Sequence, residues 1–472
     1  MNKYTVSNFA GKMVLAGTIL ASGMAFLDGT VVNIAIPVIQ TSLNATLDNM
    51  QWIVNSYALI LASLILISGS FGDRFGRKKV FLYGIGIFIL ASLLCGISQT
   101  VEQLIGFRTL QGIGAAMMIP GSLSIISTAF EEKEQGKAIG LWSGFAGGVA
   151  ALGPFLGGWL VEVLGWQSIF YINIPLGLLA IFLTIKYVPE TKNDDAQQLD
   201  ILGTVLLLAG LLGISYALIE APVQGLYATW IIGSLLFGIA AIGTFIFMEK
   251  RIQEPIFPLK IFQSKLVTGA NLVTLFLYFA LNGIIFFLVL NFQQLQHYSP
   301  IMAGLAMLPS ILIITFLSGP AGSLGDKIGP RLPMIFGPLI VSVGMILMLF
   351  PGTNSNYFIA FLPALILFGL GMSLVIAPLT KSALAVDKRY SGAASGVNNA
   401  VSRVAALLAV ALLGAIMSIT FSSHLTSTIN KSSLNQAQQE EIIIQKNKLG
   451  GIQIPENFDQ NTRAVARQTI DE

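Results

Sequence analysis

The sequence predicts an all-α polytopic membrane protein built from two related helix bundles. Only 10% of the 472 residues are charged and 54% are hydrophobic, whereas soluble domains carry roughly 25% charged residues. Apolar runs recur along the chain, and each is long enough to cross ~30 Å of hydrocarbon as a helix. A charged segment of ten residues occurs twice, and such a repeat is typical of membrane transporters with two matching halves.

Thirteen apolar runs of spanning length follow one another between Met13 and Phe421. They lie near residues 13–38, 52–71, 80–98, 103–127, 138–160, 168–187, 201–219, 229–248, 267–292, 301–321, 332–350, 357–378 and 396–421. The first run continues well past the roughly 7–15 residues of a signal-peptide core, so it is predicted to be the first span. Cys95, the only cysteine, lies inside the third run, which excludes an intrachain disulfide and a cysteine-based metal cluster.

The repeated segment relates the two halves of the chain. Gly69–Lys78 recurs 253 residues later as Gly322–Arg331, with five of ten positions identical. These two hinges follow the second and the tenth apolar runs. A weaker echo, Gly112-Ile-Gly and Gly369-Leu-Gly, keeps the same order. The spacing therefore aligns the first six runs with the runs from the ninth onward.

This alignment predicts the domain organisation. We expect a six-helix bundle over 1–188, a linker with two inserted helices over 189–265, and a five-helix bundle over 266–421. Residues 422–472 form a polar tail, and the second bundle is expected to be one helix short of the first.

The basic residues predict the orientation. With the N-terminus in the cytoplasm, 19 of the 26 Lys and Arg residues lie on the cytoplasmic side and the six short outer loops hold none. This partition is what the positive-inside rule requires. It predicts a cytoplasmic N-terminus and an extracytoplasmic tail, and the net charge of +3 indicates no nucleic-acid partner.

One acidic residue, Asp28, lies clearly inside an apolar run. A charge at the bilayer centre costs at least ~2.5 kcal/mol, so such a residue is by default functional. Helix arithmetic places Arg108 at a similar depth, which favours an Asp28–Arg108 pair that loads and releases a proton. Two alternatives remain open: a permanent hydrogen bond from Asp28 to Asn33 or Thr30, and an Arg108 that binds only backbone carbonyls.

Five motifs in order resemble the major facilitator superfamily, and within it the 14-helix drug:proton antiporters of the EmrB/QacA type. They are the hinge 69–79, the fourth-run motif from Leu104 to Ala116, the glycines and proline of the fifth run, Leu27–Pro37, and Ser391 to Arg403. Val149 stands where the antiporter motif usually has glycine. The resemblance covers nearly the whole chain.

The resemblance implies proton-coupled efflux of amphipathic small molecules by alternating access, driven by the proton-motive force without a cofactor. Asp28 and Arg108 would couple protons. The predicted cavity residues are Asn33, Gln111, Asn398, Asn399 and Arg403. The predicted cytoplasmic gate residues are Gly69, Gly72, Asp73, Arg74, Gly76, Arg77, Asp326 and Arg331. The predicted antiporter-helix residues are Gly153, Pro154, Gly157 and Gly158.

The partners follow from the same resemblance. They are the small-molecule substrate, protons and the lipid bilayer of the cell membrane, with a periplasmic adaptor and an outer-membrane channel if the cell has two membranes. One buried acid faces two arginines, which favours neutral, zwitterionic or anionic substrates over dications.

Several alternatives stay open. The hinges could act only as topology anchors, the glycines of the fifth run could serve ordinary packing, and Arg403 with its two asparagines could form a packing network. The chain could instead export an endogenous metabolite, or be a truncated, inactive protein or scaffold. An enzyme is disfavoured because the only histidines, His297 and His424, lie outside the apolar runs. No Walker-type loop occurs, which argues against an ATP-driven pump.

Overall fold

The computed structural model describes residues 4–192, 199–252, 255, 257–353, 355–386, 391–432, 434–455 and 457–471. The first bundle contains α1 (Phe9–Ser42), α2 (Leu47–Phe75), α3 (Arg77–Gly96), α4 (Val101–Ala129), α5 (Glu132–Leu164), α6 (Ser168–Tyr171) and α7 (Asn173–Tyr187). The inserted pair is α8 (Ile201–Gln224) and α9 (Thr229–Glu249). The second bundle contains α10 (Lys265–Leu290), α11 (Pro300–Ile328), α12 (Arg331–Leu347), α13 (Tyr357–Ala360), α14 (Leu362–Ala383) and α15 (Ser391–Lys431). The tail contains α16 (Gln436–Ile443) and α17 (Gln460–Asp471).

The predicted all-α membrane fold is confirmed. Among the described residues, 12 helical segments are long and apolar enough to cross a membrane. The eleventh predicted run, near 332–350, forms the shorter α12 of 17 residues, which is at the lower limit of about 17 residues for a span. Helix α12 ends at Leu347, and the backbone nitrogens of Met348, Leu349 and Phe350 form turn hydrogen bonds in place of further helix.

The two bundles repeat the same contacts, and this repetition shows that the sequence echo is structural. A Cβ on Gly112 of α4 would lie 2.8 Å from the Tyr57 carbonyl oxygen of α2, and one on Gly369 of α14 would lie 2.9 Å from the Ser310 carbonyl oxygen of α11. Tyr57 and Ser310 are 253 residues apart, as the two hinges are. Glycine is required at both crossings because the helix backbones touch.

We call the side that carries Gly76 and Gly329 the hinge face, and the opposite side, at Ser42–Leu47, the far face. The bundles meet along α2 with α15 and along α5 with α11. The inserted helix α8 packs on both α2 and α15 and therefore covers one of the two seams. Trp52 of α2 donates from its indole nitrogen to Glu220 Oε1 of α8 at 2.9 Å, which fixes this packing.

The tail packs on the far face. Helix α15 runs on to Lys431, and its end packs with the tail in a small apolar core of Leu425, Ile429, Ile442, Phe458 and Ile470. Gln40 at the end of α1 donates to the Lys448 carbonyl oxygen at 3.0 Å. Arg467 lies 3.4 Å from the His297 ring. The tail thus touches the far ends of both bundles.

Candidate functional site

A buried polar cluster lies between α1 and α4. The Arg108 guanidinium forms an ion pair with Asp28, and the two residues are 1% and 2% exposed. Gln111, one helical turn after Arg108, accepts from Arg108 Nη1 at 2.6 Å and donates to Asp28 Oδ1 at 2.8 Å. The structure therefore brings together the two predicted proton-coupling residues and one predicted cavity residue. A charged pair in a nonpolar surrounding persists only when further hydrogen bonds satisfy it, and Gln111 supplies them.

Neighbouring groups hold the cluster in place. Arg108 Nε donates to the Ile53 carbonyl oxygen at 3.2 Å, and its guanidinium lies 4.4 Å from the centre of the Tyr57 ring. The Tyr57 hydroxyl donates to the Ala25 carbonyl oxygen at 3.0 Å. Gln111 Nε2 also donates to Ser92 Oγ at 2.9 Å. Arg108 thus bonds both a carboxylate and a backbone carbonyl. Thr30 donates to the Leu27 and Ala150 carbonyl oxygens and Asn33 to that of Gly29, so neither alternative drawn from the sequence describes the structure.

A small polar cavity of about 60 Å³ adjoins the cluster. Its polar lining is Asn33, Asn55, Tyr57, Arg108, Asn282 and Arg403. Arg108 forms part of this wall and reaches Asp28 from it. Because a water needs about 10–15 Å³ of such space, the cavity has room for several waters or one small polar group.

The cavity contains a buried amide that sequence reasoning missed. Asn55 of α2 is 0% exposed, and neither its Oδ1 nor its Nδ2 has a hydrogen-bond partner among the described residues. Buried polar atoms without a hydrogen-bond partner lower the free energy of unfolding and are rare in native structures. The signal was present in the sequence, because Asn55 is an amide inside the second apolar run.

The predicted cavity residues of α15 divide between two faces. Arg403 lines the cavity and lies 5.6 Å from the Phe26 ring centre. Asn399 is exposed one turn before Arg403 on the same helix face and donates to its own helix at Ser395. Asn398 points elsewhere and donates to Asn271 Oδ1 at 3.2 Å and Thr274 Oγ1 at 2.8 Å, both on α10. Asn398 therefore ties α15 to α10, as the packing alternative expected.

An apolar cavity of about 260 Å³ lies on the other side of α1 and α10. Thr30 and Leu281 line it, whereas the adjacent residues Gly29 and Asn282 line the polar cavity. Leu365 and Phe368 of α14 also line it. With the 257-residue spacing that separates Gly112 from Gly369, these are the repeat counterparts of Arg108 and Gln111. The charged cluster of the first bundle is thus replaced by apolar side chains in the second.

The glycines of α5 allow close contact with two neighbouring helices. A Cβ on Gly153 would lie 1.9 Å from Thr30 Oγ1, and one on Gly157 would lie 3.0 Å from Val31, both on α1. A Cβ on Gly158 would lie 2.4 Å from the Pro300 carbonyl oxygen of α11. Pro154 is the reciprocal contact, since its carbonyl oxygen lies 2.3 Å from a Cβ placed on Gly304. These glycines therefore join α5 both to the helix of Asp28 and to the second bundle.

The first hinge is bonded within its own bundle. Arg77 pairs with Asp73 at 2.7 Å, and its backbone nitrogen donates to the Thr191 carbonyl oxygen at 2.9 Å. Gly76 has a φ of 106°, which favours glycine. A Cβ built on Gly69 would meet no atom within 4 Å, and one on Gly72 would lie 3.8 Å from the Arg77 side chain. The Arg74 guanidinium lies 5.9 Å from the Phe75 ring centre.

The second hinge repeats the first only in part. Gly329, 253 residues after Gly76, also has a positive φ of 83°. Arg331 opens α12, and Pro330 occupies the position that Arg77 has in the first copy. Asp326 lies within α11, but its side chain is outside the described part of the structure.

The described hydrogen bonds between the two bundles all lie near the far face. Gln51 donates to Val410, Gln293 donates to Ile34, and Ile301 donates to Glu162 at 2.6, 2.8 and 3.0 Å. Gln294 bonds Gln40 at 2.6 Å. A Cβ built on Gly144 of α5 or on Gly319 of α11, both nearer the hinge face, would meet no atom within 4 Å. The close glycine contacts between α5 and α11, at Gly158 and Gly304, therefore lie toward the far face.

Comparisons with known proteins agree with this architecture. The multidrug resistance protein Stp of Mycobacterium tuberculosis (strain CDC 1551 / Oshkosh) is 33% identical over 436 residues, which cover 90% of this chain and 81% of Stp. The methylenomycin A resistance protein of Streptomyces coelicolor is 33% identical over 407 residues, with 85% of each chain covered.

A solved structure and a family model complete the comparison. A bacterial homologue of the human lysosomal transporter Spinster, in an inward-facing and unoccupied conformation, matches with a TM-score of 0.66 at 19% identity, covering 98% of this chain and 94% of that one. The Major Facilitator Superfamily model matches residues 18–410. With two pseudosymmetric bundles and this match, the chain belongs to the major facilitator superfamily.

Proposed function

We propose that this protein exports amphipathic small molecules across the cell membrane in exchange for protons. The observation that carries the proposal is the buried Asp28–Arg108–Gln111 cluster beside a cavity between the two bundles. The names of the similar proteins Stp and methylenomycin A resistance protein, which describe drug resistance, support export rather than uptake. Membership of the 14-helix EmrB/QacA branch is part of this proposal.

The geometry supports a mechanism of alternating access. With the N-terminus in the cytoplasm, the hinge face is cytoplasmic, and the bundles are joined at the outer side. A substrate would enter between α5 and α11 from the cytoplasm. The outer contacts between Gly158 and Pro300 and between Gly304 and Pro154 would then separate to release it. The hinges would stabilise the opposite state, since their described bonds here remain within one bundle.

Proton coupling would act through the Arg108 side chain. An ionised Asp28 holds Arg108 by charge attraction, and a protonated Asp28 would release it toward the cavity that Arg108 already lines. Thr30, less than one turn after Asp28, donates to the Ala150 carbonyl oxygen of α5 at 3.2 Å. A change at Asp28 would therefore be transmitted to α5 and to its contacts with α11. The proton-motive force supplies ~2.3 kcal/mol per charge per 100 mV, and the proposal includes no cofactor.

The substitution Asp28→Asn tests the proposal in proteoliposomes with an imposed pH gradient. Asn keeps the shape of Asp28 and one of its two acceptor oxygens, but it carries no charge and has no titratable proton. We expect uphill transport of a fluorescent amphipathic drug to fall to background, while exchange of labelled for unlabelled drug continues. Glu102→Gln, at an exposed position on α4, is the matched control and should transport normally. Uphill transport by the Asp28→Asn variant would overturn the proton-coupling role.

A further inference from the structure

We propose that the polar cavity recognises the carboxylate of an amphipathic monoanion through Arg403 and Asn55. This inference rests on the proposed function, because it names the substrate class of the exporter. It starts from the charge balance of the cavity wall. Of the two arginines that line the cavity, Arg108 is neutralised by Asp28. Arg403 forms no ion pair or hydrogen bond with any described residue, and its described neighbour is the Phe26 ring.

An uncompensated guanidinium at this depth needs an anion. A charge inside the membrane is costly unless it pairs with another group. None of the described residues that line the cavity is acidic, and the neighbouring Asp28 is already held by Arg108 and Gln111. Arginine presents a planar fork of donors that matches a carboxylate. The cavity wall therefore carries one net positive charge and no anion of its own.

Asn55 is the second observation, and it is independent of Arg403. Its side chain is fully buried, both amide atoms lack a partner, and the residue lines the same cavity. An amide nitrogen donates to a carboxylate oxygen, so Nδ2 fits the same ligand as Arg403. Asn33 and Asn282 each donate one of their two amide N–H groups to their own helix, at the carbonyl oxygens of Gly29 and Tyr278, and each keeps one N–H for a ligand. Asn55 differs from them because neither of its amide atoms has a hydrogen-bond partner among the described residues.

The size and surroundings of the cavity limit the ligand. A volume of about 60 Å³ accepts a carboxylate but not the body of a drug. The remaining lining of this cavity is apolar and includes Val54, Leu61 and Val410. A ligand with one anionic group and an apolar body matches this lining better than an inorganic anion or a dication.

The test measures binding to the purified protein without a proton gradient, by fluorescence polarisation. The probes are 4-(1-pyrenyl)butyrate and its methyl ester, which share one apolar body and differ in charge. We expect the protein to bind the carboxylate at least about tenfold more tightly than the ester, as a charge-assisted hydrogen bond allows. Arg403→Gln should abolish this preference, and Arg403→Lys should retain part of it. Asn55→Leu should weaken carboxylate binding several-fold more than ester binding.

A second variant, which adds a negative charge to the cavity wall, tests the inference if Arg403→Gln fails to fold. Asn55→Asp places a carboxylate beside Arg403, so we expect it to exclude pyrenylbutyrate while the methyl ester still binds. Lys265→Gln, at the start of α10, removes a cation outside both cavities and should leave the preference unchanged. Equal binding of carboxylate and ester to the unmodified protein would overturn the inference, as would an intact preference in Arg403→Gln.

These results separate the inference from the proposed function. If Asp28→Asn abolishes uphill transport but the carboxylate preference is absent, the proposed export function is supported and the anion site is excluded. If the preference is present but the unmodified protein shows no uphill transport, the anion site is supported and the proposed antiport is excluded.

Discussion

At the residue scale, the buried cluster shows how one charged pair is maintained inside a membrane bundle. Asp28 accepts from both Arg108 and Gln111, and Gln111 in turn donates to Ser92. Because these donors already surround the carboxylate, ionised Asp28 needs no water in this state. We therefore expect the hydrogen bonds of the cluster to rearrange only when a proton or a bound ligand changes the charge of the Asp28–Arg108 pair.

Gln111 can be tested by an apolar replacement of similar size. Gln111→Leu leaves Asp28 Oδ1 without its hydrogen-bond donor, which costs ~1–3 kcal/mol, whereas Ser92 Oγ still accepts from Asn173 Nδ2. We expect a lower Tm in detergent, because the Arg108–Asp28 ion pair loses the hydrogen bonds that Gln111 makes to both residues. Gln99→Leu, at an exposed position just before α4, controls for hydrophobicity and should leave Tm nearly unchanged. Equal Tm values for Gln111→Leu and the unmodified protein would show that Gln111 does not support the pair.

At the element scale, the pairing of α5 with α11 controls the far face. Gly158 meets the Pro300 carbonyl oxygen, and Gly304 meets the Pro154 carbonyl oxygen. Backbone oxygens cannot move aside as side chains can, so any Cβ at these glycines forces the helices apart. The fifth-run motif thus packs α5 closely against α11, at the contact that the proposed mechanism requires to separate.

Gly304→Ala should open the far face. The added Cβ would lie 2.3 Å from the Pro154 carbonyl oxygen, and overpacking of this kind costs ~1–3 kcal/mol. With Val54→Cys in the cavity wall as a reporter, we expect several-fold faster labelling by an impermeant maleimide added from the far side. Gly319→Ala on the same helix meets nothing within 4 Å and is the matched control. Unchanged labelling in Gly304→Ala would argue against this contact as a gate.

At the scale of the whole molecule, the repeat is symmetric in its scaffold and asymmetric in its chemistry. Gly76 and Gly329 share a positive φ, and Gly112 and Gly369 share a backbone crossing. Arg108 and Gln111, in contrast, correspond to Leu365 and Phe368. The first bundle therefore holds the buried ion pair, and the second offers an apolar wall at the equivalent place.

The tail adds a link between the bundles that the repeat does not contain. Lys448 bonds Asn44, and a Cβ on Gly451 would lie 2.8 Å from Gln40 Oε1. If the far face must open, this link must release. We expect a short, cleavable thiol cross-linker joining Gln40→Cys to Gly451→Cys to reduce efflux to about a tenth or less, with recovery after cleavage. Each single-cysteine variant is the control, and full efflux by the cross-linked protein would exclude such a release.

Much of this organisation is encoded locally. Apolar runs, paired hinges and the distribution of basic residues predict helices, repeat and orientation, because each depends on a period or a count along the chain. Helix depth also predicted the neighbourhood of Asp28 and Arg108, because 1.5 Å per residue converts sequence position into height. The short α12 and the extension of α15 to Lys431 were missed, since helix ends depend on turns and on packing partners.

The sequence by itself determined that this chain crosses a membrane many times, that its halves are related, and that one acid and two arginines lie inside the bilayer. Only the tertiary structure decided that Gln111 joins the ion pair, that Asn398 binds α10, and that Asn55 and Arg403 line one cavity with no hydrogen-bond partner among the described residues. The physical reason is that height along a helix is fixed by residue number. The direction in which a side chain points is fixed by how the helices pack around one another.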